Sequence, residues 1–277
     1  MSKQLRMRFT QALALAVLAA PIFAANQTNY QYLALGDSVS FGFDPTILGA
    51  PPSSYTGYPE ILSQLEFLVN SPKQVNASCP GQTSGSYLAG GPDIGCEPFK
   101  AAFGLHTNYA GTQASFAVSQ LSSNKHINLV TLSIGGNDLL ILENLCSADP
   151  TSFATCVTAN LTPTLQTYGT NLGQILAAIR LTAGYKGPLV LVKYYPVNTD
   201  PLFTGAIAAL NGVMVTVGAQ FGAKFADGFT AFELASALYQ GDPCKAGLLV
   251  RLTATTCDVH PSHKGQQVLA ATVLLAQ

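Results

Sequence analysis

The run INLVTLSI at residues 127–134 is dense in β-branched and apolar side chains, and the turn residues GGND follow it at once. An apolar run of this length, closed by turn residues, reads as a buried strand. Three other segments share the layout: YQYLALG (30–36), GPLVLVKYYP (187–196) and AKFAD (223–227). A further strand is expected shortly before Gly81. Helical patterns lie between them. GYPEILSQLEFL (57–68) carries Ile61, Leu62, Leu65 and Leu68 at helical spacing. LTPTLQTYGTNLGQILAAIRLTAG (161–184) reads as a long helix, with Thr162 as its N-cap, Pro163 in the first turn and Gly184 as its stop. GAIAALNGVMVTVGAQFG (205–222) and HKGQQVLAATVLLAQ (263–277) complete the set. Strands alternating with such helices imply right-handed crossovers and a parallel sheet with helices on both faces.

In an open sheet of this class, ligands bind beyond the carboxyl ends of the strands. That rule selects three turns: Gly36-Asp37-Ser38, the loop around Gly81, and Gly135-Gly136-Asn137-Asp138. Residues 79–110, rich in Gly, Pro and Ser, read as a long loop, and a loop of that length in a compact domain is usually functional.

The composition narrows the function classes. Hydrophobic residues make up 48% of the 277 and charged residues only 10%, against about 25% charged in an ordinary soluble domain. Such a chain buries a large core and is not disordered. It also lacks the Lys and Arg that a nucleic-acid binder needs. The first residues form a separate object. Lys3, Arg6 and Arg8 precede the apolar stretch 12–20, and small residues end it, which is the layout of a secretory signal peptide. Cleavage is expected after Ala24, leaving 25–277 as a single domain. Removing residues 1–24 takes away three positive charges and no acid, so the formal charge falls from −1 to −4. The apolar stretch is too short for a membrane span of roughly 20 residues, and no transmembrane segment is expected later in the chain. The expected location is therefore extracellular or periplasmic, as a monomer.

All six cysteines lie beyond residue 24: Cys79, Cys96, Cys146, Cys156, Cys244 and Cys257. An even count in an exported chain points to disulfides. Nearest-neighbour pairing is preferred, because each pair falls in a segment rich in Gly, Pro or Ser. A metal site ranks low, since no C-x-x-C is present.

Each of the candidate chemical residues has an ordinary structural alternative. A serine is a nucleophile only beside a base, and otherwise Asp37 or Ser38 simply caps the next helix. Asn137 is either part of a glycine turn or a side-chain amide that donates to a developing oxyanion. Gly81 is either a turn residue next to Cys79 or a backbone N–H that approaches the reaction centre closely. His260 precedes Pro261, which disfavours helix, and Ser262 then starts the last helix. That places His260 in a loop just before a helix, a good position for a base. His126, in SSNKHIN, reads as a surface histidine, and a metal site built from Asp258, His260 and His263 is disfavoured.

Taken together, GDS near the mature N-terminus, a glycine loop, GGND, and D-x-H-P-S near the C-terminus resemble the GDSL, or SGNH, hydrolase family. The resemblance runs from residue 30 to about residue 270. It implies a three-layer α/β/α flavodoxin-like fold with a parallel sheet of about five strands. It also implies a secreted esterase or lipase of the bacterial branch, acting on a small-molecule or lipid ester with no metal or organic cofactor. The four family blocks fall on Ser38, Gly81, Asn137 and His260. By that resemblance Ser38 is the nucleophile and His260 the base. The oxyanion hole comprises the N–H groups of Ser38 and Gly81 and the side chain of Asn137. Asp37 and Asp138 are expected to hold their turns. The chain departs from the family at one position. The family often places an Asp three residues before the His, but here that position is Cys257 and the acid is Asp258, two before. A one-residue move along an extended segment reverses the face. Asp258 is therefore carried as the orienting acid, with a main-chain carbonyl as the alternative. A carbohydrate deacetylase on the same site is the second functional reading, weakened by the absence of Trp. A catalytically silent binding protein of the same fold ranks third, because Ser38, Asn137 and His260 are all present.

Overall fold

A computed structural model describes residues 31–70 and 73–277. The signal segment expected over residues 1–24 lies outside the described residues. From β1 (Gln31–Gly36) the chain passes through a single helical turn, α1 (Ser38–Phe41), and α2 (Tyr58–Asn70) to β2 (Lys73–Asn76). Helices α3 (Ser84–Ala89), α4 (Cys96–Phe103) and α5 (Gln113–Ser123) lead to β3 (Ile127–Ser133). Helices α6 (Gly136–Cys146) and α7 (Phe153–Ala177) lead to β4 (Leu189–Val192), and α8 (Pro201–Gln220) leads to β5 (Lys224–Ala226). Helix α9 (Gly228–Ser236), a hairpin of β6 (Leu249–Arg251) and β7 (Cys257–Pro261), and α10 (His263–Ala276) complete the chain.

The five main strands are parallel, in the order β2-β1-β3-β4-β5. Helices α2, α9 and α10 pack together on one face, and α3, α5, α7 and α8 on the other. This is the three-layer α/β/α fold. A parallel sheet covered on both faces has no solvent side, which is why INLVTLS and LVLV read as continuous apolar runs. Leu33, Leu35, Leu129, Leu132, Leu189 and Leu191 are fully buried. The strand order reverses direction between β1 and β3, so their carboxyl ends open onto the crevice where such sheets bind ligands.

Four local expectations are corrected. The long helix begins at Phe153 rather than near Thr162, and Pro163 lies inside it. The Cys146–Cys156 disulfide ties the first turn of this helix to the end of α6. Pro163 is exposed, so the carbonyl deprived of its N–H partner lies on the wet side of the helix. The strand expected to reach Pro196 stops at Val192. Beyond it the Asn211 side chain accepts from the Tyr194 N–H at 2.9 Å and donates to the Tyr194 carbonyl at 2.7 Å, occupying the groups that a ladder would need. The segment 79–110 is not one loop but holds α3 and α4. Thr83 and Ser86 form a capping box at the start of α3. His260 lies not in a loop but on β7, paired antiparallel with β6.

The disulfides join Cys79–Cys96, Cys146–Cys156 and Cys244–Cys257, the nearest-neighbour pattern. They close spans of 17, 10 and 13 residues. Loops of about 15 residues are worth about 3 kcal/mol each in the chain-entropy account. Among the described residues, one helix, α8, is long and apolar enough to cross a membrane by length and composition. Here it is the β4–β5 crossover, with Leu210, Met214 and Gly218 buried in the interior.

Candidate active site

Gly36 ends β1 with φ +129°, and a Cβ there would lie 2.0 Å from the Ser133 carbonyl oxygen. Only glycine lets the chain leave β1 so close to β3, and the sharp turn that follows presents Ser38. Asp37 caps this turn, its carboxylate accepting from the Val39 N–H at 3.0 Å and from the Tyr194 hydroxyl. The backbone beyond Ser38 is clamped from three directions. Asn76 Nδ2 donates to the Ser40 carbonyl at 2.9 Å, Gln266 Nε2 to the Val39 carbonyl at 3.1 Å, and the Ser40 hydroxyl to the Leu35 carbonyl at 3.0 Å.

β7 delivers the base. His260 Nε2 lies 2.8 Å from Ser38 Oγ. On the other side of the ring, Nδ1 meets Asp258 Oδ1, which also accepts the His260 backbone N–H at 3.0 Å. A carboxylate on Nδ1 selects the Nδ1–H tautomer, so Nε2 carries the lone pair and accepts from Ser38 O–H. Burial tends to raise the Asp258 carboxyl. The hydrogen bonds and charge of His260 outweigh it and hold the group below the usual carboxylate range. Asp258 reaches the imidazole because β7 is a strand, and residues two apart on a strand share a face. Phe43 packs edge-on against the His260 ring at 4.9 Å between centroids. The Tyr195 hydroxyl donates to the Val259 carbonyl at 3.0 Å and holds β7 in place.

Asn137 stands in the first turn of α6 and is buried. Its Nδ2 donates to the Gln82 carbonyl at 2.8 Å. That bond fixes the amide and uses one of its two N–H groups. Gly81 does not line the cavity beside Ser38, but it adjoins Gln82. Its φ is +84°, and a Cβ would meet the backbone of Ile94 and Gly95 at 2.8 Å, so only glycine fits. Asp138 holds the same corner, accepting from the Ser84 N–H at 2.9 Å and the Ser84 hydroxyl at 2.5 Å. His126 is exposed, and His263 turns away to Gln267.

Sequence reasoning missed the polar clamp. Gln113 donates to the Gly36 carbonyl at 2.9 Å and accepts the Gly36 N–H at 2.6 Å. It also donates to Gln82 Oε1 at 2.7 Å, linking the end of β1 to the Asn137 corner. Tyr194, Gln266 and Asn76 belong to the same network. The only signal in the sequence was polar residues within apolar stretches, with nothing to say where each would point.

Burial pushes the Asp37 carboxyl up to about 6, against the opposing pull of the Tyr194 and Val39 hydrogen bonds. A carboxyl raised in the folded state contributes stability below its unfolded value of 3.8, and that contribution is lost as pH rises through about 6. Asp37→Asn keeps the shape and removes the charge. The variant is expected to be more stable than wild type at pH 8, by on the order of 3 kcal/mol, with the gap closing below about pH 4. Urea denaturation at both pH values checks this, and an equal difference at pH 4 and pH 8 would refute it.

A hydroxyl, an imidazole and a carboxylate in hydrogen-bonded series at a strand-end crevice make a site competent for acyl transfer. The chain belongs to the GDSL-like lipase/acylhydrolase family, whose model matches residues 34–268, and it is a carboxylic ester hydrolase. No curated protein matches it significantly in sequence. Among solved structures it is similar to the extracellular lipase of Streptomyces rimosus, at 20% identity and TM-score 0.61, covering 90% of this chain and 100% of that one. Phospholipase A1 of Streptomyces albidoflavus NA297 follows at 19% and 0.58, covering 90% and 100%. An acetylxylan esterase of Geobacillus stearothermophilus stands at 17% and 0.56, covering 90% and 94%. At these identities the likeness is one of fold.

Proposed function

We propose that this protein is an exported serine esterase that works through an acyl-enzyme on Ser38. The observation that carries the reading is the 2.8 Å contact between Ser38 Oγ and His260 Nε2, with Asp258 on the far ring nitrogen. His260 takes the Ser38 proton as Oγ forms a bond to the ester carbonyl carbon. The oxyanion is met by the N–H groups of Ser38 and Gly81 and by the second N–H of Asn137 Nδ2. The tetrahedral species collapses, the carbon–alkoxy bond breaks, and His260 passes its proton to the departing alcohol. Water then attacks the acyl-enzyme with His260 as base, releasing the acid and restoring Ser38.

Export of a single domain after removal of residues 1–24 is supported by the three disulfides and by likeness to an extracellular lipase. The working form is taken to be a monomer.

Hydrolysis of nitrophenyl esters and acetylated xylan by wild type and Ser38→Ala tests the reading. Ester turnover that vanishes with Ser38 supports it. Acetate released from xylan alone moves the function to carbohydrate deacetylation, and no turnover on any ester would leave a silent binding protein. Asn137→Ala is expected to lower kcat about 10²–10³-fold while KM moves little, as when one oxyanion donor is lost. A change confined to KM would remove Asn137 from the oxyanion hole.

A further inference from the structure

Beside Ser38, Asn137 and His260 a cavity of about 160 Å³ runs between α6, α7 and α8. Ser38, Asn137, His260 and Glu143 are among its polar lining residues. Most of its lining is apolar, including Leu139 and Leu142 of α6, Val157 of α7, and Leu202, Ala206 and Leu210 of α8. Leu142 and Val157 do not belong to the main core. With Cys146 they make a small separate cluster, packed against Phe153, Cys156, Leu161 and Leu202. The Cys146–Cys156 disulfide sits in that cluster and joins the two helices that form the cavity wall.

An ester offers two groups that could fill such a cavity. The alcohol must leave after acylation so that water can take its place, and it departs beside the partly exposed His260. The acyl chain stays attached to Ser38 through both steps. A largely apolar cavity beside Ser38 therefore suits the acyl chain. An acetyl group would leave most of it unfilled.

Resting on Ser38 as nucleophile, we propose that this cavity binds a medium-chain fatty acyl group, and that the Cys146–Cys156 disulfide sets its depth by fixing the α6–α7 wall. The substrate class is then medium-chain fatty esters rather than acetylated sugars. Each added methylene that enters the cavity raises kcat/KM about fourfold, equivalent to about 0.8 kcal/mol. Loss of this one disulfide loosens the wall and erodes that gain.

The test compares nitrophenyl esters from acetate to decanoate with acetate esters of alcohols of rising length. Wild type, Ala206→Phe and the double variant Cys146→Ser/Cys156→Ser are measured on both series, with Ala206→Leu as a milder plug should the Phe variant fail to fold. In wild type the octanoate-to-acetate ratio of kcat/KM is expected to reach on the order of 10³. The plug and the disulfide-free variant are each expected to lower that ratio at least about tenfold, the equivalent of about 1.4 kcal/mol. Purely global destabilisation would leave the ratio unmoved. A flat acyl profile in wild type, a length gain that follows the alcohol instead, or an unchanged ratio in the folded plug variant overturns the acyl site. An unchanged ratio in the disulfide-free variant overturns the role of Cys146–Cys156. Ser38→Ala keeps the two readings apart: full turnover in that variant removes the nucleophile assignment, whereas an altered chain-length profile with Ser38 still essential bears on the cavity alone.

Discussion

Ser38→Ala and His260→Ala are each expected to lower kcat by on the order of 10⁶-fold, and the double variant no further. The reason is that the two residues act as one unit. Ser38 Oγ is a weak nucleophile until Nε2, 2.8 Å away, takes its proton. Without the imidazole the hydroxyl is not activated, and without the hydroxyl the imidazole has nothing to activate. Fold loss is not expected to confuse the result. Ser38 Oγ bonds to His260, and the turn is held by Asn76, Gln266 and Asp37 instead. Steady-state rates on a short nitrophenyl ester, with circular dichroism as the control, decide the matter. Wild-type turnover in either folded variant would remove that residue from the mechanism.

Asp258→Asn is expected to cost about 10⁴ in kcat with little change in KM or melting temperature, the pattern seen when a triad carboxylate becomes an amide. Asp258 Oδ1 accepts both the ring N–H and the backbone N–H of His260. An amide can satisfy one of these and then present its own N–H to Nδ1. That arrangement favours the other tautomer and takes the lone pair away from Ser38. Asp258 is held below the ordinary carboxylate range, so its contribution is present at neutral pH and is lost as pH falls through that lowered value. If a main-chain carbonyl oriented His260 instead, Asp258→Asn would cost less than about tenfold and the pH profile would not move.

The position of Asp258 shows why part of the site was hidden in the sequence. Counting from Cys257 implied a reversal of face, but facing depends on the backbone conformation between acid and base. On β7, which pairs with β6 in a local hairpin, Asp258 and His260 fall on one side. Ser38, Asn137 and His260 were legible because each follows a local boundary: the end of an apolar run or the residue before a proline. The clamp around Ser38 was not. Gln113 reaches Gly36 across 77 positions, and Gln266 reaches Val39 across 227. No local period encodes such contacts.

By itself the sequence determined the alternation of strands and helices, the places where the chain must turn, and which chemistry-bearing residues stand at those turns. Hydrophobic periodicity and turn chemistry act over a few residues, so they can be read along the chain. Tertiary structure alone decided the partners of the buried amides and the cavity walled by α6, α7 and α8. Those features arise when distant segments share an interior from which water is excluded. There a polar group must find a partner, and an apolar wall takes its shape from its neighbours.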